Sequence, residues 1–510
     1  MSPPQASVDA ELCAQIDELT RKIDVQKQLL RDLEEQRSQA RRQLNSLHDP
    51  MARLPLEIQS HIFLCVDHTW DKPSTYPDNA PMVFVGVCRL WRHIALSTPR
   101  LWSTISMNNL PRRACYAELC GKWMERAGTL PLSMSLEGSS LRLARSGIQD
   151  LVYQYRDRLE SLTLKLDGTH TDVTGLGALV DVDGPFKALR KLTISSQVGV
   201  ALGSAEDVGL LNMLRDAPNL SHLVMHNFFY EEEDPDDPDV QPLTLASLET
   251  LELGSPQTFA FFASAGNSAA ILQYLTLPAL KDLHLSALDM SYDAFNAFLT
   301  RSSPPLEWLN LALHSGEWPD EVLSRSLRLV PTLTSLKISA WGTTSEDRFR
   351  PFFEVLASSR DVLPNLRKLT LWMRHSASVD YERIIRMLDN RRSCPAPLER
   401  LEIYFAQFGD QGHDYSTNLP SDGQIRSALE QFVKNGMQIH IGPSTRNLLE
   451  NLSEEQQALR QKSEMEAIRS ALRGAGFAGL RSSEYDSDPY HLEAREDKRR
   501  AKPIEYASPQ

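Results

Sequence analysis

His222, His226, Glu252, Asp282 and His284 are the densest group of metal-capable, titratable side chains that a shared strand pattern would bring side by side. Imidazole and carboxylate are ligands for a transition metal, and the carboxylates would equally attract a basic segment of another protein. The metal reading is the weaker, because side chains on neighbouring strands seldom converge on an ion without a second layer of groups to orient them. The six cysteines, at positions 13, 65, 88, 115, 120 and 394, contain no C-x-x-C pair and no repeated spacing. Zinc site and disulfide framework are therefore disfavoured, and buried free thiols in a reducing compartment are expected. None of G-x-x-x-x-G-K-[ST], H-E-x-x-H or G-x-S-x-G occurs. Scattered His and Asp on an open surface also lack the enclosed pocket that catalysis needs. The expectation is a protein with no catalytic residue, no metal and no cofactor.

What would position those side chains is a repeat. L-x-x-L-x-L recurs at Leu159/Leu162/Leu164, Leu189/Leu192/Ile194, Leu220/Leu223/Met225, Leu248/Leu251/Leu253 and Leu280/Leu283/Leu285. It continues at Leu306/Leu309/Leu311, Leu333/Leu336/Ile338, Leu366/Leu369/Leu371 and Leu398/Leu401/Ile403. First leucines lie 26 to 33 residues apart, and the alternation over the last positions predicts a strand in each copy. A helical stretch closed by Pro or Gly precedes most copies, as in Ile148-Leu151-Val152-Tyr155, Leu211-Leu214, Phe295-Phe298-Leu299, Phe349-Phe352-Leu356 and Ile384-Ile385-Leu388. One helix and one strand per repeat is the pattern of a leucine-rich-repeat solenoid, an α/β fold. Strands at Leu132-Met134-Leu136 and Gln438-Ile439-His440-Ile441 would be its atypical ends. A doubly wound sheet also alternates helix and strand, but nine near-identical strand patterns favour the solenoid.

Ahead of the repeats, Leu12, Ile16, Leu19, Ile23, Gln26, Leu30, Leu33, Arg37, Ala40, Leu44 and Leu47 advance in steps of four and three, with no Gly or Pro between them. Such a seam predicts a coiled-coil helix that self-associates, or one long helix lying against its own chain. His48-Asp49-Pro50 ends it.

Residues 51 to 105 carry Leu54-Pro55 at a helix start, with Glu57 suited to its positive N-terminal end, and Ile58, Ile62 and Phe63 as one apolar face. Val85, Cys88, Trp91, Arg92 and Ile94 predict a second amphipathic helix, ended by Ser97-Thr98-Pro99 before Leu101-Trp102. L-P-x-E-[IV], V-C-[RK]-x-W-R-x-[IV]-A and T-P-x-L-W-x-x-[IL] are all present, and the segment resembles the F-box-like modules of mushroom-type fungal proteins. The resemblance covers about 55 residues. It implies a small helical fold docking on the Skp-type adaptor of a Skp–cullin–F-box ubiquitin ligase. Leu54, Pro55, Glu57, Ile58, Ile62 and Phe63, with Val87, Cys88 and Trp91, would face that adaptor. The long insertion from Asp67 to Pro81 departs from the pattern of animal F-boxes. The bland alternative is that these helices only cap the solenoid.

With the leucines turned inward, the intervening residues would form a concave face. On its later rows Trp308, Asn310, Lys337, Lys368, Trp372, Arg400 and Tyr404 are the expected target-binding residues, since exposed Trp, Tyr and Arg dominate interface energies. Lys with Arg would favour an acidic or phosphorylated peptide. The other possibility is that these aromatics lie under loops as core.

The predicted organisation is a coiled-coil helix at 1–50, an F-box-like domain at 51–105, the solenoid at 106–445, and a polar helix with a disordered tail at 446–510. The formal charge of -13 argues against nucleic acid as a partner. Much of it comes from Glu231, Glu232, Glu233, Asp234, Asp236, Asp237 and Asp239 in one loop. The first ten residues do not read as a signal peptide, and no apolar stretch approaches the roughly 20 residues that span a bilayer. A cytoplasmic or nuclear protein without membrane contact is expected, Lys498-Arg499-Arg500-Ala501-Lys502 being a candidate import signal. Expected partners are the Skp-type adaptor, cullin through it, and an unknown protein target. A scaffold unconnected to ubiquitin, built on the coiled coil and the repeats, is the alternative.

Overall fold

The computed structural model describes residues 3–48, 50–66, 80–108, 115–138, 147–166, 184–202, 208–230, 243–254, 268–288, 292–313, 325–340, 350–373, 379–394, 396–405, 423–442 and 447–449. The Asp67–Pro81 insertion up to residue 79, the acidic run 231–239, the polar stretch after 449 and the basic cluster 498–502 lie outside the described residues. A G-x-G-x-x-G run, Gly474 to Gly479, lies there too.

The chain is a mixed α/β protein with a long N-terminal helix and one large parallel sheet. Helix α1 runs Pro3–His48. Its seam residues from Leu12 to Leu44 are exposed, so this helix does not lie against its own chain.

Helices α2 (Leu56–Cys65), α3 (Ala80–Val87) and α4 (Arg89–Leu96) follow. The single helix expected across Val85–Ile94 is instead two. Cys88 takes an extended conformation, φ -155° and ψ 173°, and its Sγ accepts from the Trp91 N–H as the N-cap of α4. The apolar spacing continues through the break, so periodicity alone could not reveal it. Phe63, Phe84 and Trp91 pack together, with ring centroids 4.2, 5.1 and 5.9 Å apart. The buried Trp102 indole donates to the Ala95 carbonyl at 2.7 Å, and Arg92 Nε donates to Val85 O at 2.9 Å. The motif residues Trp91, Arg92 and Trp102 therefore hold this module together. Strand β1 (Thr104–Asn108) begins inside the predicted 51–105 segment. Trp102 meets Trp123 of α5 (Cys115–Arg126) edge-on at 4.8 Å between ring centroids, which joins module and sheet.

The sheet continues through β2 (Leu132–Gly138), β3 (Leu159–Leu166), β4 (Lys191–Leu202), β5 (His222–Tyr230), β6 (Thr250–Leu253) and β7 (Asp282–Leu288). It ends with β8 (Trp308–Leu313), β9 (Ser335–Ala340), β10 (Lys368–Met373), β11 (Arg400–Phe405) and β12 (Gln438–Gly442). All pairs are parallel, and each strand neighbours the next in chain order. Register aligns Leu162, Leu192, Leu223, Leu251, Leu283, Leu309, Leu336, Leu369, Leu401 and Ile439 in one row. Each leucine of this row is buried, contributing about 1.5–3 kcal/mol by burial. Residue identity sets this register, because a slip of one would turn every leucine to the other face.

On the far side of the core lie α6 (Ile148–Tyr155), α7 (Val208–Arg215), α8 (Tyr292–Ser302), α9 (Arg350–Ser358), α10 (Tyr381–Arg391) and α11 (Gly423–Lys434), with a two-residue ladder between Leu243–Thr244 and Leu275–Thr276. Arginines at the ends of these helical segments tie units together. Arg158 donates to Leu130 O, Arg301 to Leu272 O and Leu275 O, and the fully buried Arg391 to Leu363 O and Val362 O. No helix of the described residues is long and apolar enough to cross a membrane.

The cysteines depart from the expectation of burial. Cys120 and Cys394 are buried, Cys88 is half-buried, and Cys13 and Cys65 are exposed; all five are free. Burial pushes the Cys120 thiol up to about 12, leaving it inert. The Cys115 side chain lies outside the described residues.

Candidate functional site

Two surfaces bring the predicted residues together. The first is on the helical module. Residues Ile58 and Ile62 are four apart and share one face of α2, while Gln59 and Phe63, also four apart, share the face turned inward. Gln59 Nε2 donates to Met51 O at 2.6 Å and Leu54 O at 2.7 Å, which fixes the turn entering α2 and so the direction of its outer face. That outer face keeps Leu54 36%, Ile58 48% and Ile62 39% exposed, beside exposed Pro55 and Glu57. Val87 is 54% exposed on α3. Phe63, at 1%, is instead the centre of the module's own core, Trp91 packs on it, and Cys88 caps α4. The predicted single face of Ile58, Ile62 and Phe63 is thus two faces. Leu56, Met82 and Val83 are exposed as well, and the sequence reading missed them; helical spacing does not say which of two adjacent apolar stripes turns inward.

The second surface is the polar face of the sheet. Trp308, Asn310, Lys337, Lys368, Trp372, Arg400 and Tyr404 are all half-buried there on consecutive strands β8 to β11. Their rows align, with Trp308, Ser335, Lys368 and Arg400 in one and Asn310, Lys337, Thr370 and Glu402 in the next. The aromatics are not covered as core. Trp372 packs on Tyr404 at 4.8 Å between ring centroids, and Tyr404 on His440 at 4.7 Å. The Trp308 indole meets the His284 ring edge-on at 3.7 Å. His440 was expected only as part of an end strand; its place beside Tyr404 follows from the register of β11 with β12.

The electrostatics differ from an open basic patch. Glu402 takes a hydrogen bond from Thr370 Oγ1 at 2.9 Å and ion pairs with Lys368 at 3.2 Å and Arg400 at 3.5 Å. Lys337 has no ion-pair partner among the described residues. Its Nζ lies 5.6 Å from the Trp372 ring centroid, and burial first, then Lys368, holds it below the ordinary ammonium range. Beside it the Asn310 amide oxygen is buried without a hydrogen-bond partner among the described residues.

Of the middle group, His226 Nε2 lies 3.0 Å from Glu252 Oε1, and that bond holds the Glu252 carboxyl below the usual carboxylate range. Thr250 Oγ1 donates to Asp282 at 3.5 Å, and His222 pairs instead with its neighbour Ser221. Among the described residues no three His, Cys, Asp or Glu converge as a metal site. No protein-family model matches the chain, and no curated protein matches it.

Proposed function

We propose that this protein is the substrate receptor of a Skp–cullin–F-box ubiquitin ligase, with no chemistry of its own. The observation that carries this reading is the outward apolar face of the helical module. Leu54, Ile58, Ile62 and Val87 remain exposed although Phe63, Phe84, Trp91, Ile94 and Trp102 already supply the module with a core. A cap whose only task was to close the sheet would have no need of that face, and apolar surface of this kind marks a protein interface.

In the same reading the sheet is a leucine-rich-repeat solenoid. Strict chain order of the strands favours it over a doubly wound sheet, whose order reverses at a switch point. The target docks on the Trp308, Trp372 and Tyr404 rows. Since Lys368 and Arg400 are shared with Glu402, Lys337 is the one cation of that set left for an acidic group, which asks for a largely apolar or aromatic target segment with a single carboxylate or phosphate.

The test is co-expression of the full chain with the Skp-type adaptor of its organism, followed by size-exclusion chromatography of wild type and Leu54→Asp/Ile58→Asp. Co-elution of wild type, with the variant folded but alone, supports the receptor. Failure of wild type to co-elute leaves the module a cap and the chain a scaffold.

A further inference from the structure

The exposed seam of α1 is an unpartnered helix face, and its own residues state what covers it. Isoleucine and leucine occupy alternating seam positions, Ile16 and Ile23 on one side and Leu12, Leu19 and Leu33 on the other, and all are exposed. Two polar residues interrupt the seam, Gln26 and Arg37. In the heptad they fall on different sides, Gln26 at a d position and Arg37 at an a position.

A parallel pair of these helices sets Arg37 against Arg37 of the second copy in one core layer. It also brings Lys22 of each chain against Lys27 of the other, the flanking g-to-e contact. Three like-charge contacts result. An antiparallel pair matches a with d layers, and one register removes all three. In that register Gln26 faces Arg37 of the second copy, so its amide oxygen accepts from the guanidinium, twice over by symmetry. Leu30 faces Leu33, Ile23 faces Ala40, Leu19 faces Leu44 and Ile16 faces Leu47. At the flanks Lys27 meets Glu34 of the second copy, again twice. Within the protomer Lys27 has only an exposed partner, Asp24 at 3.5 Å, and neither Glu34 nor Arg37 has an ion pair among the described residues.

Neighbouring antiparallel registers fail. A slip of one heptad in one direction puts Lys27 against Lys27 and Gln26 against Leu30. A slip in the other puts Glu34 against Glu34, Lys27 against Arg41 and Arg37 against Leu33. We propose that α1 pairs with α1 of a second copy of this chain as an antiparallel two-stranded coiled coil, in the register that sets Gln26 opposite Arg37 and Lys27 opposite Glu34. The consequence reaches the rest of the molecule. The two copies of His48, where α1 hands over to the helical module, lie about 50 Å apart at opposite ends of the rod, from a rise of about 1.5 Å per residue. The two modules therefore start from opposite ends of the rod.

Sedimentation equilibrium of the full-length chain, with Lys27→Glu and Lys27→Glu/Glu34→Lys, tests this. These exposed helical positions change no core contact. The antiparallel register predicts a dimer that Lys27→Glu weakens roughly tenfold, because two attractive pairs become repulsive, and that the double variant restores. A parallel dimer answers in the opposite sense, since Lys27→Glu turns the Lys22–Lys27 repulsion into attraction and tightens it. A monomer, a tightened dimer, or a dimer indifferent to both changes overturns the proposal.

Discussion

Trp372 and Tyr404 sit in register on adjacent strands with ring centroids 4.8 Å apart, and the Lys337 ammonium lies 5.6 Å from the centre of the indole. Each ring is only half-buried, so the pair presents an aromatic face while being held from both sides. A double-mutant cycle of Trp372→Ala and Tyr404→Ala, read by urea denaturation, should give a coupling of about 0.5–1.5 kcal/mol. In pull-downs, Trp308→Ala/Trp372→Ala should lose the target while keeping the wild-type circular dichroism. Undiminished recovery would remove this surface as the docking site.

In the helical module the exposed apolar face and the buried core are built from different residues. Phe63→Ala empties the centre of its core and should cost about 3–5 kcal/mol. Leu54→Asp and Ile58→Asp change exposed positions and should each alter stability by no more than about 0.5 kcal/mol. Thermal melts of the three variants check this, and a large loss from Ile58→Asp would mean that this face is packed.

Low pH should loosen the middle of the sheet. Burial is the main cause that depresses the pKa of His284, against the opposing pull of Glu252 and Asp282. Its ring, edge-on to Trp308, is therefore favoured neutral in the folded state. That contribution is whole above the ordinary imidazole value of 6.5 and is lost as pH falls through the depressed folded value. Glu252, also depressed from its ordinary value of 4.5, adds a second loss at lower pH. Imidazole titration followed by NMR should find His284 below 6.5, and His284→Phe should flatten the stability decline that sets in below 6.5. A His284 titration above 6.5 would contradict this picture.

Arg391 is buried with both terminal nitrogens on the carbonyls of Val362 and Leu363. Arg391→Ala strips Val362 O of its donor and leaves Leu363 O with only the Leu366 N–H at 3.2 Å, and should cost about 1–3 kcal/mol in urea denaturation. Loss below about 1 kcal/mol would show that water reaches those carbonyls.

The outer edge of β12 is met by Asn447 and by Leu448, whose N–H donates to Ile441 O at 2.8 Å. Asn447 Oδ1 accepts from the Ile441 N–H at 3.1 Å, and its Nδ2 donates to Ile439 O at 2.9 Å. Asn447→Ala should lower stability by about 1–3 kcal/mol and promote aggregation through the freed strand edge, measured by light scattering on heating.

The sequence by itself determined the strands and the core. Leu192, Leu223 and Leu251 could be placed because a period of two and a spacing near 30 residues are written along the chain, and local geometry needs nothing more. It also determined α1 and the positions of Trp308, Trp372 and Tyr404 on one face, since the same alternation that buries the leucines exposes their neighbours. Tertiary structure alone decided what those neighbours do. Whether Phe63 or Ile58 turns inward depends on where α4 packs, and Cys88 breaks a periodicity that runs unaltered through it. Glu402 gathers Lys368 and Arg400, Arg391 sinks onto the carbonyls of Val362 and Leu363, and Asn447 closes the last edge. These contacts are decided by which elements come together and by which buried or unpaired groups then need a partner, and no local spacing announces them.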